Sequence, residues 1–263
     1  MKTSFLNCEP IAQLAELAAR MELLASLGYQ GIELSAKHPA DYSAEDVLAL
    51  CEKFRLPVVS MLSGWSYANE GLCLCSPKSE VRARAVERLV EYVDFASRLK
   101  AVLVVGLMQG LRSDEPNGAV AAERITNCLR QVAEAAAERD ATVVIEPVNH
   151  LQVGFHHTAE EVAELVRRVG SPGLSYMLDT IHMNIEERSI LETVRAHGPH
   201  IGHFHLCETN GGPFGSGNLD IHAVLGELEK SGYDRFVSIK IYRKLAWDEA
   251  ARNAARFLKL RSV

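Results

Sequence analysis

Short apolar runs alternate with longer stretches of helical apolar period, and the alternation recurs about eight times along the chain. The strand-like runs are Thr3 to Leu6, Gly31 to Leu34, Pro57 to Met61, Val102 to Gly106, Thr142 to Pro147, Ser175 to Asp179, Gly202 to Leu206 and Phe236 to Ile241. Amphipathic helical patterns lie near residues 11 to 27, 44 to 55, 78 to 99, 118 to 139, 158 to 169, 186 to 197, 219 to 231 and 247 to 260. Eight such units without a shift in composition predict a single parallel (β/α)8 TIM barrel, with a doubly wound open sheet as the runner-up. No linker or low-complexity segment interrupts the pattern, so residues 1–263 are expected to form one domain.

Boundary signals agree with this reading. Thr158 leads Glu160 and Glu161 into an Ala/Val/Leu helix in the manner of a capping box, and Gly170 with Pro172 ends it. Ser76 and Pro77 open the third helix, while Gly28 and Gly232 close the first and seventh. Strand parity then says which side chains face the barrel axis, because outward positions pack on helices and should be apolar. Ile32, Leu34, Val143, Ile145, Phe204, Leu206, Val237, Ile239 and Ile241 are expected outside, leaving Glu33, Glu146, His203, His205, Ser238 and Lys240 inside. These ionisable groups gather at the carboxyl ends of strands, where barrel enzymes keep their active sites. The two longest irregular stretches, 63 to 77 and 107 to 117, belong to the same end.

Composition narrows the function. A hydrophobic content of 48% and a charged content of 24% suit a soluble globular protein with a sizeable core. The net charge of −6 offers no footprint for nucleic acid or an anionic membrane, so a small molecule is the expected partner. The six cysteines, at 8, 51, 73, 75, 128 and 207, lack zinc-site spacing and read as reduced thiols. The opening residues lack a secretory h-region, and no apolar run reaches about 18 residues, so a cytoplasmic location is expected.

Glu146, Asp179 and His205 would present two carboxylates and an imidazole from three neighbouring strands. That set suits a hard divalent cation such as Mn²⁺, Mg²⁺ or Co²⁺ in an open site. A cation there could stabilise the enediolate formed when a carbon beside a ketone is deprotonated, as in sugar isomerisation or epimerisation. Glu33, Glu208 and Trp65 are candidate substrate contacts. Each also has a structural reading: a hydrogen bond to a neighbouring strand end, a bond to loop amides, or a loop anchor. Asp179 as a cap for the helix near Glu186 is disfavoured by the intervening residues, and His203 reads as core-lining. His156 and His157 are expected in solvent, and Cys73 with Cys75 in loop packing.

The segments Ile145-Glu146-Pro147-Val148-Asn149, Leu178-Asp179-Thr180-Ile181-His182-Met183-Asn184-Ile185-Glu186-Glu187 and Gly202-His203-Phe204-His205-Leu206-Cys207-Glu208-Thr209-Asn210 resemble the xylose-isomerase-like superfamily of sugar isomerases and epimerases. The second and third resemble its ketose 3-epimerase branch. The resemblance implies a TIM barrel holding one divalent metal on the equivalents of Glu146, Asp179, His205 and a glutamate of the last strand. It also implies acid/base roles for the first and last of these and a substrate contact from His182. Barrels of this family often pair, which leaves a homo-oligomer open.

The chain departs from that pattern where the last-strand glutamate is expected, because Lys240 stands there. Gln152 and Gly211 likewise stand where ketose epimerases carry a glutamate and an arginine. Lys240 has two readings: a neutral base beside a metal, or a protonated amine that takes the metal's place. The expected activity is that of a divalent-metal-dependent isomerase or epimerase on a small keto-sugar or keto-sugar acid, with the metal retained on Glu146, Asp179 and His205, Glu146 and Lys240 catalytic, and His182 and Glu208 orienting the substrate. Alternatives are a decarboxylase or lyase of a 3-oxo sugar acid and a non-catalytic sugar-binding barrel. The related abasic-DNA endonucleases would need a richer ligand set and a basic groove.

Overall fold

The computed structural model describes residues 1–260, so the last three positions of the expected domain lie outside the described residues. Eight parallel strands close into a barrel in sequence order: β1 Lys2–Leu6, β2 Gly31–Ser35, β3 Val58–Leu62, β4 Val102–Val105, β5 Val143–Ile145, β6 Leu174–Asp179, β7 His203–Cys207 and β8 Phe236–Lys240. The ring is completed by β8 pairing with β1, in the register Ser4↔Ser238. This is the (β/α)8 barrel that the periodicity predicted, and the open-sheet alternative is excluded. The helices are α1 Leu14–Ser26, α2 Ala44–Phe54, α3 Trp65–Glu70, α4 Ser79–Leu99, α5 Gly118–Glu138, α6 Ala159–Val169, α7 Thr180–Glu186, α8 Ile190–His197, α9 Ile221–Lys230 and α10 Trp247–Leu258. Among the described residues, no helix is long and apolar enough to cross a membrane.

Parity holds on every strand used for the inward set. Ile32, Leu34, Val143, Ile145, Phe204, Leu206, Val237, Ile239 and Ile241 are buried in the apolar layer between strands and helices. Val104, Val144 and Met177 form a separate, smaller cluster, flanked by Leu62 and Val102. Most of the inward positions on β1, β2, β7 and β8 are polar and buried, Leu6 being an apolar exception. Ser4 and Ser238 share a hydrogen bond of 2.7 Å, and Ser60 meets His203 at 3.3 Å. The interior is therefore divided, apolar beside β3 to β6 and polar around β7, β8, β1 and β2.

Three expectations are corrected. The helix placed at 186 to 197 begins at Ile190 as α8, and a further short helix, α7, precedes it, with Glu187 to Ser189 between them. Asp179 caps α7, its Oδ1 accepting from the Ile181 amide at 3.0 Å, and Ser189 caps α8 by accepting from the Glu192 amide. Seven residues are too few to show a helical period, so α7 was invisible and the cap had no apparent helix to serve. The loop expected to be irregular from Ser63 to Pro77 contains α3, closed by Gly71 in the left-handed region at φ +66°. His156 and His157 are not free in solvent. His156 Nδ1 lies 2.9 Å from Gln109 Oε1, and burial pushes its pKa down to about 4. His157 Nδ1 donates to the Val148 carbonyl at 2.9 Å.

One glycine limits how closely a helix can seat on the barrel. A Cβ on Gly173, just ahead of β6, would lie 2.1 Å from the Ala133 carbonyl oxygen and 2.7 Å from the Ala137 amide of α5. Both neighbours are helix backbone and cannot rotate away. Gly173→Ala is expected to cost roughly 1–3 kcal/mol of stability by displacing α5. Urea unfolding should show a lower midpoint at unchanged slope, and a midpoint equal to the parent's would disprove the contact's importance.

Candidate active site

The site begins with the strand ends. Register pairs Asp179 with His205 across β6 and β7, and pairs His205 with Ser238 across β7 and β8. Lys240, two residues beyond Ser238 on the same face, therefore stands above that layer at the barrel mouth. Its Nζ lies 2.6 Å from Asp179 Oδ2. Asp179 is fully buried and divides its two oxygens between the α7 cap and this ion pair.

His205 lies at the centre of a column of charge. Its Nε2 is 2.9 Å from Glu33 Oε1, while its Nδ1 faces Asp179 Oδ2 at 3.4 Å and Glu146 Oε1 at 3.5 Å. Burial alone would lower its pKa, but the carboxylates of Glu33, Asp179 and Glu146 raise it well above the ordinary value. Glu33 is bonded below by His203 as well, at 3.1 Å. Burial opposes its charge, yet His205 and His203 hold the carboxyl well below its usual range. Burial likewise disfavours the charges of Asp179, Glu146 and Lys240, and their mutual attraction overrides it. Asp179 and Glu146 are shifted down and Lys240 is shifted well up.

His182 is positioned differently. Asn149 Oδ1 accepts from the Leu151 amide at 3.1 Å, which turns the Asn149 amide nitrogen toward His182 Nδ1, 2.7 Å away. Nδ1 must then accept, so the ring proton sits on Nε2, which faces Glu146 Oε1 at 3.6 Å. Burial keeps the ring neutral despite Asp179 nearby. Glu146 itself just follows β5, and its position depends on Gly106 at the end of β4. A Cβ on Gly106 would lie 2.5 Å from Glu146 Oε2.

Glu146, His182 and Lys240 open into one cavity of about 280 Å³, together with Trp65, Gln152, Ser35 and Cys8. Leu6, Leu62, Ala68, Leu107 and Val148 add apolar lining to the same cavity. The structure thus brings together Glu146, Asp179, His182, His205 and Lys240, and places Trp65 on the cavity wall with its indole N–H donating to the Cys8 carbonyl at 3.1 Å. It does not bring Glu33 or Glu208 to the cavity. Glu33 is spent on the two histidines beneath. Glu208 is buried, accepting the amides of Thr209, Leu219 and Gly215 at 3.0, 3.0 and 3.2 Å, so it organises the loop after β7. Sequence reasoning missed Asn149, Gly106 and Gln109 as positioning residues, the last donating from Nε2 to the Glu146 carbonyl at 3.1 Å. Asn149 had a signal in its spacing from Glu146. The other two lie in a strand end and loop with no pattern.

Among the described residues, Glu146, Asp179 and His182 offer ligand atoms within 4.8 Å of one another, as do Glu33, His203 and His205 and also Cys73, Cys75 and Asp114. Glu146 Oε1 and His205 Nδ1 are buried without a hydrogen-bond partner, which by itself would favour a cation between them. His205 Nδ1 already faces both carboxylates at 3.4 and 3.5 Å, however, and Lys240 occupies Asp179 Oδ2. A dication bound to that same oxygen would lie roughly 4 Å from the ammonium, a repulsion of about 8 kcal/mol at an effective dielectric near 20. The residues present do not fit a resident divalent ion beside a charged Lys240.

The buried Glu33 pair generates a stability prediction. Glu33 is held below its ordinary value of 4.5, so its contribution is present above that pH and is lost as pH falls through the lower folded value. His205 is raised above 6.5, so its contribution is present below that pH and is lost as pH rises through the raised value. Glu33→Gln leaves His205 without its nearest counter-charge and should cost about 3–5 kcal/mol at neutral pH. It should also flatten the loss of stability between about pH 5 and pH 3. Denaturant titrations across that range test both effects, and an unchanged acid limb would refute the assignment.

Comparison with known proteins places this geometry. The family described as xylose isomerase-like TIM barrel matches residues 21–261. An L-ribulose 3-epimerase from Mesorhizobium japonicum is 29% identical over 238 residues, spanning 89% of this chain and 78% of that protein. A D-psicose 3-epimerase from Agrobacterium fabrum is 26% identical over 268 residues, with 92% of each chain covered. The solved structure of an L-ribulose 3-epimerase superposes with a TM-score of 0.88 at 24% identity, covering 99% of this chain and 94% of that one, a likeness of fold. With the family match spanning nearly the whole barrel, the chain belongs to the xylose isomerase-like TIM barrel family.

Proposed function

We propose that this chain is a sugar epimerase or isomerase that enolises a small keto-sugar or keto-sugar acid. The observation that carries the reading is the opposition of Glu146 and Lys240 in one cavity, a carboxylate and an ammonium with Asp179 fixing the second. The two similar 3-epimerases support the reaction class.

The chemistry follows from the placement. A ketone oxygen directed at Lys240 would find a fixed positive charge where negative charge develops. Glu146 Oε1 has no hydrogen-bond partner of its own, and its lowered pKa keeps it ionised and able to take a proton from the neighbouring carbon. The C–H electron pair moves to the carbonyl oxygen, giving an enediolate balanced by the ammonium. His182, holding its proton on Nε2, is placed to donate a hydrogen bond to a substrate hydroxyl. Protonation of the same carbon from the other face needs a second acid, a role open to the Lys240 ammonium with its proton regained from solvent, and gives an epimer; return of the Glu146 proton to the former carbonyl carbon, with the neighbouring hydroxyl proton passing to the enediolate oxygen, gives the aldose–ketose isomer.

Trp65 and the apolar wall exclude water from one side of the ring or chain. Gln152 offers a neutral amide at the rim, so recognition there is by hydrogen bonds without charge. The divalent cofactor implied by the resemblance is not part of this mechanism, because Lys240 occupies the carboxylate that would bind it. A carbohydrate-metabolising role is supported by the small-molecule cavity and the similar 3-epimerases, and a cytoplasmic location remains part of the proposal. Pairing of two copies remains part of the proposal, to be read from sedimentation.

Incubation of keto-sugars and keto-sugar acids in deuterated water provides the test. One member of the panel is expected to gain deuterium at the carbon beside its ketone without loss of carbon. Glu146→Gln should slow that exchange by about 10²–10⁴-fold while leaving substrate affinity within severalfold. Carbon dioxide release or chain cleavage would reassign the chain to the lyases, and binding without exchange would make it a binding barrel.

A further inference from the structure

We infer that the Lys240 ammonium and a divalent cation are mutually exclusive occupants of one place in this fold, and that the chain works as a metal-free member of its family. The inference deepens the proposed enolisation by naming its electrophile, and it rests on that reading only for the reaction, not for metal binding.

Three observations support it. Lys240 Nζ contacts Asp179 Oδ2 at 2.6 Å, the oxygen that His205 Nδ1 and His182 Nε2 also face at 3.4 and 3.8 Å. A cation gathered by these groups would have to displace the amine from that oxygen. Next, β8 presents Phe236, Ser238 and Lys240 inward, and Ser238 is bonded to Ser4. The last strand thus supplies no anion to complete a ligand set. Finally, the Lys240 side chain is 16% exposed and reaches the cavity, so its charge is available to a bound substrate as well as to Asp179. A metal would offer several coordination positions to adjacent substrate oxygens. An ammonium offers three N–H donors around a single charge. The inference therefore extends to recognition: the substrate is gripped through one oxyanion at the ketone, with the rest of its orientation left to His182, Gln152 and Trp65.

Position 240 becomes the switch between the two kinds of site. Lys240→Glu removes the ammonium and restores a third carboxylate beside Asp179 and Glu146. Wild-type protein and this variant, both purified without chelator or metal tag, are compared by elemental analysis and by Mn²⁺ titration followed calorimetrically and by thermal melting. Wild type should hold less than about a tenth of an equivalent of any divalent ion and show no melting shift. Lys240→Glu should bind Mn²⁺ at near one equivalent and at least about a hundredfold more tightly than wild type.

Stoichiometric metal in wild type would overturn the inference, as would a folded Lys240→Glu protein that takes up none. The wild-type measurement decides the matter even if the variant fails to fold. Deuterium exchange separates this from the proposed function. Metal-free wild type without exchange on any keto-sugar leaves the cation assignment intact and removes the reaction. Exchange by a protein that proves metal-loaded does the reverse.

Discussion

Three carboxylates and two strong bases share the mouth of this barrel, and the arrangement survives burial only because each negative charge faces a positive one. The order is alternate: Glu33, then His205, then Asp179 with Glu146, then Lys240. Removal of Glu33 or Asp179 would leave the fully buried His205 without one of its counter-charges, so the column behaves as one unit. Asp179 also joins it to the backbone, since its other oxygen holds the first turn of α7. The same column that makes the site reactive therefore also fixes where the chain leaves β6.

The barrel was legible in the sequence because burial on both faces of a parallel strand leaves a plain record. Outward apolar residues at every second position of β2, β5, β7 and β8 located the inward ones without reference to structure. The layer containing Glu33, His203 and His205 followed from that alternation alone. What could not be read was the use each inward group makes of its neighbours. Glu33 and Glu208 looked like substrate contacts because both are inward or near-inward acids, yet one is spent on imidazoles and the other on amides. Satisfaction of a polar group is a property of three-dimensional neighbours, and periodicity is silent about it. The α7 helix was lost for a related reason, being too short to carry a period and recognisable only by its cap.

The divided interior explains how a filled barrel can hold so much polarity. Val104, Val144 and Met177 close one side with ordinary packing. The lower layers of the other side are hydrogen-bonded, from Ser4 and Ser238 to Ser60, His203 and Glu33. Reactive groups are thus supported from beneath by satisfied polar layers, and the apolar side supplies rigidity.

Gly106 gives this architecture a historical dimension. It forms no bond to the charged column, yet the space left by its missing side chain is where the Glu146 carboxylate lies. A lineage exploring new substrates could shift the base by about the width of a methyl group through this one position, keeping every ionisable residue in place. Reaction geometry in this barrel is therefore heritable through an atom that is absent, and a catalogue of its functional groups alone would overlook the position through which it can diverge.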